Sequence, residues 1–230
     1  MTEDMPDRQW RNFYGRTRGK TLRPLQRERL EGLLPRLTLG GVTREENPGR
    51  EVLDVSALDG PLWLEIGFGG GEHLVHMAKA YPDVTLIGAE PFVNGIAQFL
   101  GKLEAEGVGN VRVHPGDARD LLEVLPAGCL DKAFLNYPDP WPKARHHRRR
   151  FVTPEPLRLL ARAMAPGAEL RVATDIEDYV RQTLEEVPPA GFALERGPTD
   201  EAWPDWTRTR YEAKALREGR SPHYMTFRRL

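Results

Sequence analysis

Between residues 62 and 186 short apolar runs alternate with stretches of helical length. The runs are LWLEIG from Leu62, VTLIGAE from Val84, VRVHPGD from Val111, LDKAFLNY from Leu130 and AELRVATD from Ala168. Apolar residues at helical spacing follow each of them, predicting helices near 71–80, 92–106, 118–125, 153–164 and 176–186. Five strand-then-helix units with strands rich in Val, Leu and Ile predict a mostly parallel sheet covered on both faces, a doubly wound α/β fold. After Pro189 the helical rhythm stops. GFALERG and SPHYMTFRR read as two closing strands, joined by a long polar connection over 197–219, which makes the sheet seven-stranded. Upstream, leucines at 22, 25, 30, 33, 34 and 37 predict an amphipathic helix over 21–37 behind a basic arm, and the glycine- and proline-containing stretch 40–60 reads as a linker. The expected division is 1–60 for arm, helix and linker, and 61–230 for the α/β domain.

With 230 residues, 40% of them hydrophobic, the chain is long enough for one sizeable core. A single cysteine, Cys129, excludes an internal disulfide and any multi-cysteine metal site. No apolar run approaches the roughly 18 residues of a membrane span, and the first ten residues are too polar for a signal peptide, so a cytoplasmic protein without a membrane partner is expected. Net charge is −1, but residues 8–29 carry net +7 and residues 143–150 carry net +5, which leaves −13 for the rest. Two cationic patches on an acidic body, with Trp10, Phe13, Tyr14, Tyr137 and Trp141 interleaved, point to an anionic ligand whose bases can stack, hence a nucleic acid.

The turn after the first strand reads Glu65-Ile66-Gly67-Phe68-Gly69-Gly70-Gly71-Glu72. Gly67, Gly69 and Gly71 permit a tight turn and close approach of a ligand to the backbone. A dinucleotide is disfavoured, because Glu72 stands where that fingerprint wants glycine and would repel a pyrophosphate at the helix N-terminus. Glu65, Glu90 and Asp117 at three successive strand ends suit a nucleoside that carries a cationic amino group and no phosphate, which describes S-adenosyl-L-methionine. Asp117 has a second reading, as the cap of the helix that follows. His73 and His76 lie at helical spacing but lack a third ligand, and no metal is expected. Trp63 and Phe99 read as core.

Asp139 follows the fourth strand between Pro138 and Pro140, which limit its backbone freedom and preorganise it toward the crevice where such sheets bind ligands. The elements Gly67–Gly71, Pro138-Asp139-Pro140-Trp141-Pro142-Lys143-Ala144-Arg145-His146, Ala173-Thr174-Asp175 and Thr209-Arg210-Tyr211-Glu212, with the arm Arg11-Asn12-Phe13-Tyr14-Gly15-Arg16, resemble those of bacterial tRNA (guanine-N7)-methyltransferases. The resemblance implies a class I, Rossmann-like methyltransferase fold and transfer of a methyl group from S-adenosyl-L-methionine to N7 of the variable-loop guanosine, position 46, of tRNA. It further implies cofactor contacts from Glu65, Gly67, Gly69, Glu90, Asp117 and Asp139, with Asp139 also catalytic. Substrate contacts are implied for Lys143, Asp175, Thr209, Arg210, Tyr211 and Glu212, and RNA contacts for Arg145, His146, His147, Arg148, Arg149 and Arg150.

The chemistry narrows these roles. Guanine N7 carries no proton at neutral pH, so attack on a sulfonium methyl needs no general base, and positioning plus stabilisation of a ring that becomes cationic are what remain. Asp139 is therefore expected to orient and to act electrostatically. Glu212 suits the paired N1–H and N2–H donors of guanine; a surface ion pair with Arg208 or Arg217 at helical spacing is its other reading. Asp175 likewise reads as a substrate contact or as the cap of the next helix. The arm before Leu22 has too few apolar residues to pack alone and is expected to fold on binding RNA.

Overall fold

The computed structural model describes residues 13–230. In chain order its elements are α1 (Pro24–Gly32), α2 (Leu34–Leu37), β1 (Leu62–Ile66), α3 (Glu72–Ala80), β2 (Thr85–Ala89), α4 (Val93–Glu106), β3 (Val111–His114), α5 (Ala118–Val124) and β4 (Leu130–Asn136). Then come a short 3-10 helix (Ala144–Arg149), α6 (Pro154–Ala163), β5 (Met164–Thr174), α7 (Glu177–Glu186), β6 (Phe192–Thr199), α8 (Arg210–Arg217) and β7 (His223–Arg229). The sheet has the order β3-β2-β1-β4-β5-β7-β6. Strands β1 to β5 are parallel, and β7 runs antiparallel between β5 and β6. Strand order reverses between β1 and β4, so their carboxyl ends open a crevice. Every residue of β1 and β2 is buried, as expected for strands covered by helices on both faces. Trp63 and Phe99 lie in the core. No helix among the described residues is long and apolar enough to cross a membrane.

Three segments differ from the sequence expectation. The helix over 21–37 is broken at Leu33, because Pro35 takes the first turn of a new helix, α2. Residues 38–58 are packed rather than free: Thr38 bridges Val113 at the edge of β3, Val42 is fully buried, and the Leu53 amide donates to the Val124 carbonyl. Arg50 ties this segment to α5 through Glu123, the Asp120 carbonyl and its own Val42 carbonyl. The polar connection 197–219 contains α8, capped by the Thr209 hydroxyl. Its buried residues are Glu212 and Ala215, and its eight residues are fewer than the roughly 11–18 over which helical periodicity is read.

Candidate active site

At the crevice lies a cavity of ≈ 360 Å³, walled by the ends of β1 to β4, by the arm and by α8. This is within the size of pockets that enclose small ligands. The β1 turn is held by glycines at φ 72° (Gly67), 54° (Gly69) and 74° (Gly71). A Cβ on Gly67 would meet nothing within 4 Å, because that position faces the cavity, whereas one on Gly71 would sit 2.4 Å from the Phe99 ring. Gly67 is therefore the open cradle, and Gly71 is required by packing.

Glu90, Asp117 and Asp139 line the cavity, each from the end of a different strand. The Glu90 carboxylate accepts from the Gly69 amide at 2.7 Å and the Phe92 amide at 2.8 Å. Burial raises its pKa despite those bonds, with the charge of Asp139 adding to the rise. Asp117 caps α5 by accepting from the Arg119 amide, and its carboxylate is clamped by the Arg119 guanidinium. Its capping and cavity roles thus coexist. Asp139 has no hydrogen-bond or ion-pair partner among the described residues. Although open to solvent at the cavity, it lies against enough protein for desolvation to raise its pKa.

The backbone around Asp139 explains how it is held. Tyr137 and Trp141 have φ of 48° and 41°, left-handed conformations that cost bulky residues energy. Tyr137 packs with Ala173, Trp203 and Tyr224, and Trp141 meets His146 edge to face. Arg150 supplies the brace from below. It is 2% exposed, donates to the Pro140 carbonyl at 2.8 Å and to Gln182 at 2.8 Å, and pairs with Asp178. Arg150 was expected among the RNA contacts; the structure instead buries its guanidinium inside the protein.

The other expected residues divide between the cavity and its surroundings. Glu65 is buried behind the cavity wall, bonded to His73 Nδ1 at 3.0 Å and approached by the Asn136 amide at 3.4 Å. His73 thus has a structural partner the sequence did not reveal. Tyr211 lines the cavity, and Arg210 lies over the glycine turn and donates to Gln98. Thr209 caps α8. Asp175 is paired with Arg220 at 2.5 Å, while Thr174, not Asp175, accepts from the Ile176 amide at the start of α7. Glu212 is 5% exposed and accepts from Trp206 Nε1 at 2.7 Å and from the Tyr224 hydroxyl at 3.0 Å. Its ion pair with Arg208, at 3.8 Å, is the helical pairing weighed above, but the carboxylate sits inside the protein rather than on its surface. On the short 3-10 helix, Arg148 and Arg149 line the cavity mouth, Lys143 and Arg145 are exposed, and His147 faces Asp178.

Two findings bear on the cofactor class. Glu72 is neutralised by Lys102, so its charge does not bar a pyrophosphate as expected. The amides do: Gly67, Gly69 and Gly71 donate to the Ala89 carbonyl, to Glu90 and to the Phe68 carbonyl, leaving those three N–H groups occupied. The cavity thus offers carboxylates rather than these anion-holding amides, which fits a cationic nucleoside.

The sequence missed the arm as a wall of this site. Phe13, Tyr14, Gly15 and Arg16 line the cavity, and Thr17, Gly19 and Lys20 hydrogen-bond to the start of α4 through Val93 and Asn94. The expectation that the stretch before Leu22 folds only on RNA thus meets a defined course over 13–21; residues 1–12 lie outside the described residues. The signal available was the interleaving of aromatics and cations at 13–16.

Comparison with known proteins completes the picture. A family model described as "Putative methyltransferase" matches residues 59–225. A tRNA (guanine-N(7)-)-methyltransferase of Cereibacter sphaeroides is 68% identical, with 96% of this chain and 92% of that protein covered. One of Paracoccus denitrificans is 64% identical over 100% of this chain and 99% of its own length. Among solved structures, the 16S rRNA methyltransferase KamB superposes with a TM-score of 0.54 at 16% identity, covering 81% of this chain and 94% of that one. The [4+2]-cyclase SpnF gives 0.53 at 16% identity, covering 79% and 78%. Likenesses this remote speak to a shared Rossmann-like fold and no further.

Proposed function

The chain belongs to the tRNA (guanine-N7)-methyltransferase family, and from that premise we propose that it methylates N7 of a tRNA guanosine, position 46 of the variable loop, using S-adenosyl-L-methionine. The observation that carries the reading is Asp139, a carboxylate with no partner among the described residues, fixed between two left-handed aromatic residues at the switch point of the sheet. When bound, S-adenosyl-L-methionine supplies an electrophilic methyl group on a sulfonium. Glu90 retains acceptor capacity beyond its two backbone bonds and suits ribose hydroxyls; Asp117 and the open face of Gly67 complete that wall. Glu65 acts through its bonds to His73 and Asn136, stiffening the strand end from behind.

Asp139 needs to remove no proton. Its charge, already formed and partly desolvated, favours the guanine ring more strongly once that ring is cationic, and this difference lowers the barrier. The rigid Pro138-Asp139-Pro140 segment keeps the reorganisation cost small. Lys143, Arg145 and Arg148 hold phosphates around the mouth. A base reader at Glu212 requires the guanine edge to reach a buried carboxylate whose two oxygens already accept bonds, so α8 and Trp206 must yield for that contact. Incubation of the protein with methyl-labelled cofactor and bulk tRNA, followed by nucleoside analysis and mapping, is expected to yield labelled 7-methylguanosine at position 46. Label in another nucleoside, or none in tRNA, would overturn the proposal.

A further inference from the structure

At the cavity mouth the Arg149 guanidinium carbon lies 4.3 Å from the centroid of the Tyr14 ring and 4.9 Å from that of Trp141. Tyr14 and Trp141 meet edge to face, with centroids 6.5 Å apart and planes at 80°. All three residues line the cavity together with Asp139. We propose that the Arg149 guanidinium is the stacking surface for the target purine, with Trp141 as the edge-to-face side wall of the same slot, and that Tyr14 occupies it in the free protein, as a stand-in ring that must withdraw before the base enters. The proposal rests on the guanosine-methylating reading above.

The slot is rigidly tied to the reactive carboxylate. Only Pro140 separates Trp141 from Asp139, and Trp141 is pinned at positive φ, so a ring seated there is delivered beside Asp139 rather than merely near it. Arg149 fits a stacking role better than a purely electrostatic one. Among the described residues no carboxylate pairs with it and its buried Nε has no hydrogen-bond partner, while its guanidinium carbon lies 4.3 Å and 4.9 Å from two ring centroids. A planar guanidinium is a surface on which proteins stack unpaired bases.

Tyr14, by contrast, is lightly held. Tyr14 is 42% exposed, Phe13 beside it is 41% exposed, and among the described residues the arm is fastened to α4 by three hydrogen bonds, two of them exposed. A permanent wall of a cofactor pocket would be packed, whereas this ring can leave without uncovering a core. Arg16 and Arg148 flank the slot, so an incoming nucleotide brings its phosphates to cations as its base replaces the tyrosine.

The test compares binding of two tRNAs, one unmodified and one abasic at position 46, by wild type, Tyr14→Ala, Tyr14→Phe and Arg149→Lys. Removing the stand-in should tighten binding of the unmodified tRNA by Tyr14→Ala roughly two- to fivefold, the range of an exposed cation–π contact. The abasic tRNA should bind Tyr14→Ala as it binds wild type, and Tyr14→Phe, which keeps the ring, should behave as wild type toward both. Arg149→Lys should erase the preference for the base-containing tRNA while keeping the salt dependence of binding. If Tyr14→Ala weakens binding or leaves the ratio between the two tRNAs unchanged, or if Arg149→Lys retains that ratio, the slot is wrong. Methyl mapping with the same wild-type preparation separates the two failures: no label at the guanosine removes the functional reading, whereas label with an unchanged ratio removes the slot alone.

Discussion

The acids at the rim of this sheet fall into two groups. On the β1–β4 side, Glu90 and Asp139 open into the cavity with raised pKa values. On the β5–β7 side, Asp175 and Glu212 are engaged by Arg220 and by Trp206 and Tyr224. In sequence, Asp139 and Asp175 look alike, each an acid just past a strand of a parallel sheet. What separates them is whether a distant segment brings a donor. The stretch Trp203 to Arg220, arriving between β6 and β7, supplies a partner to the second group, while among the described residues Glu90 takes hydrogen bonds from backbone amides and Asp139 takes none. Asp117 stands between the groups, lining the cavity while Arg119 clamps it; among the described residues Glu90 and Asp139 are the cavity acids to which no side chain hydrogen-bonds.

The sharpest way to break this division is Asp139→Asn. Loss of a preorganised charge acting mainly in the transition state should lower kcat about 10²- to 10³-fold with a much smaller change in cofactor affinity, read by steady-state kinetics and equilibrium binding. Equal losses in both would make Asp139 a binding group only. Next in size, Glu212→Gln should reduce methylation about ten- to a hundredfold, the range for a hydrogen bond to a charged group, while cofactor affinity changes little. Near-full activity in this variant would assign Glu212 wholly to the frame.

Two stability measurements sharpen the contrast further. Arg150→Ala removes a buried guanidinium that ties the Asp139 loop to α7, and should destabilise by about 2–3 kcal/mol, lowering Tm by roughly 5–10 °C. Its neighbour substitution Arg149→Ala should leave Tm near wild type, since that side chain faces the mouth. The smallest effect concerns pH. The native Asp139 carboxyl holds its proton more tightly than the unfolded one, so the native state binds more protons in the window above the ordinary value of 3.8. Stability is then lost as pH rises through that window. Asp139→Asn should accordingly be slightly more stable than wild type at neutral pH, with the difference vanishing below about pH 4 in thermal melts. A variant less stable at neutral pH would mean that the carboxylate has a favourable partner.

How much was legible in the sequence follows from how far each signal reaches. The alternation of apolar runs with helical segments was enough for the five strand–helix units and for the covered parallel sheet, because burial on both faces demands continuous Val, Leu and Ile in every such strand. Glycines with positive φ after β1 and the proline-flanked Asp139 were also readable, since backbone conformations of that kind restrict residue choice locally. Helix α8 was not, because its eight residues give too short a window for a periodic signal inside a polar connection.

Partnership needed the tertiary structure. Glu65 finds His73 on the next helix and Asn136 on another strand; Glu72 finds Lys102 thirty residues on. Arg149 and Arg150 are adjacent and chemically identical, yet one stacks at the cavity mouth and the other is sealed beneath the loop. A charged side chain has its role set by which opposite charge, ring or carbonyl lies within a few ångströms. Local patterning carries no information about that, because Coulomb and hydrogen-bond energies depend on distance in space and not on separation along the chain.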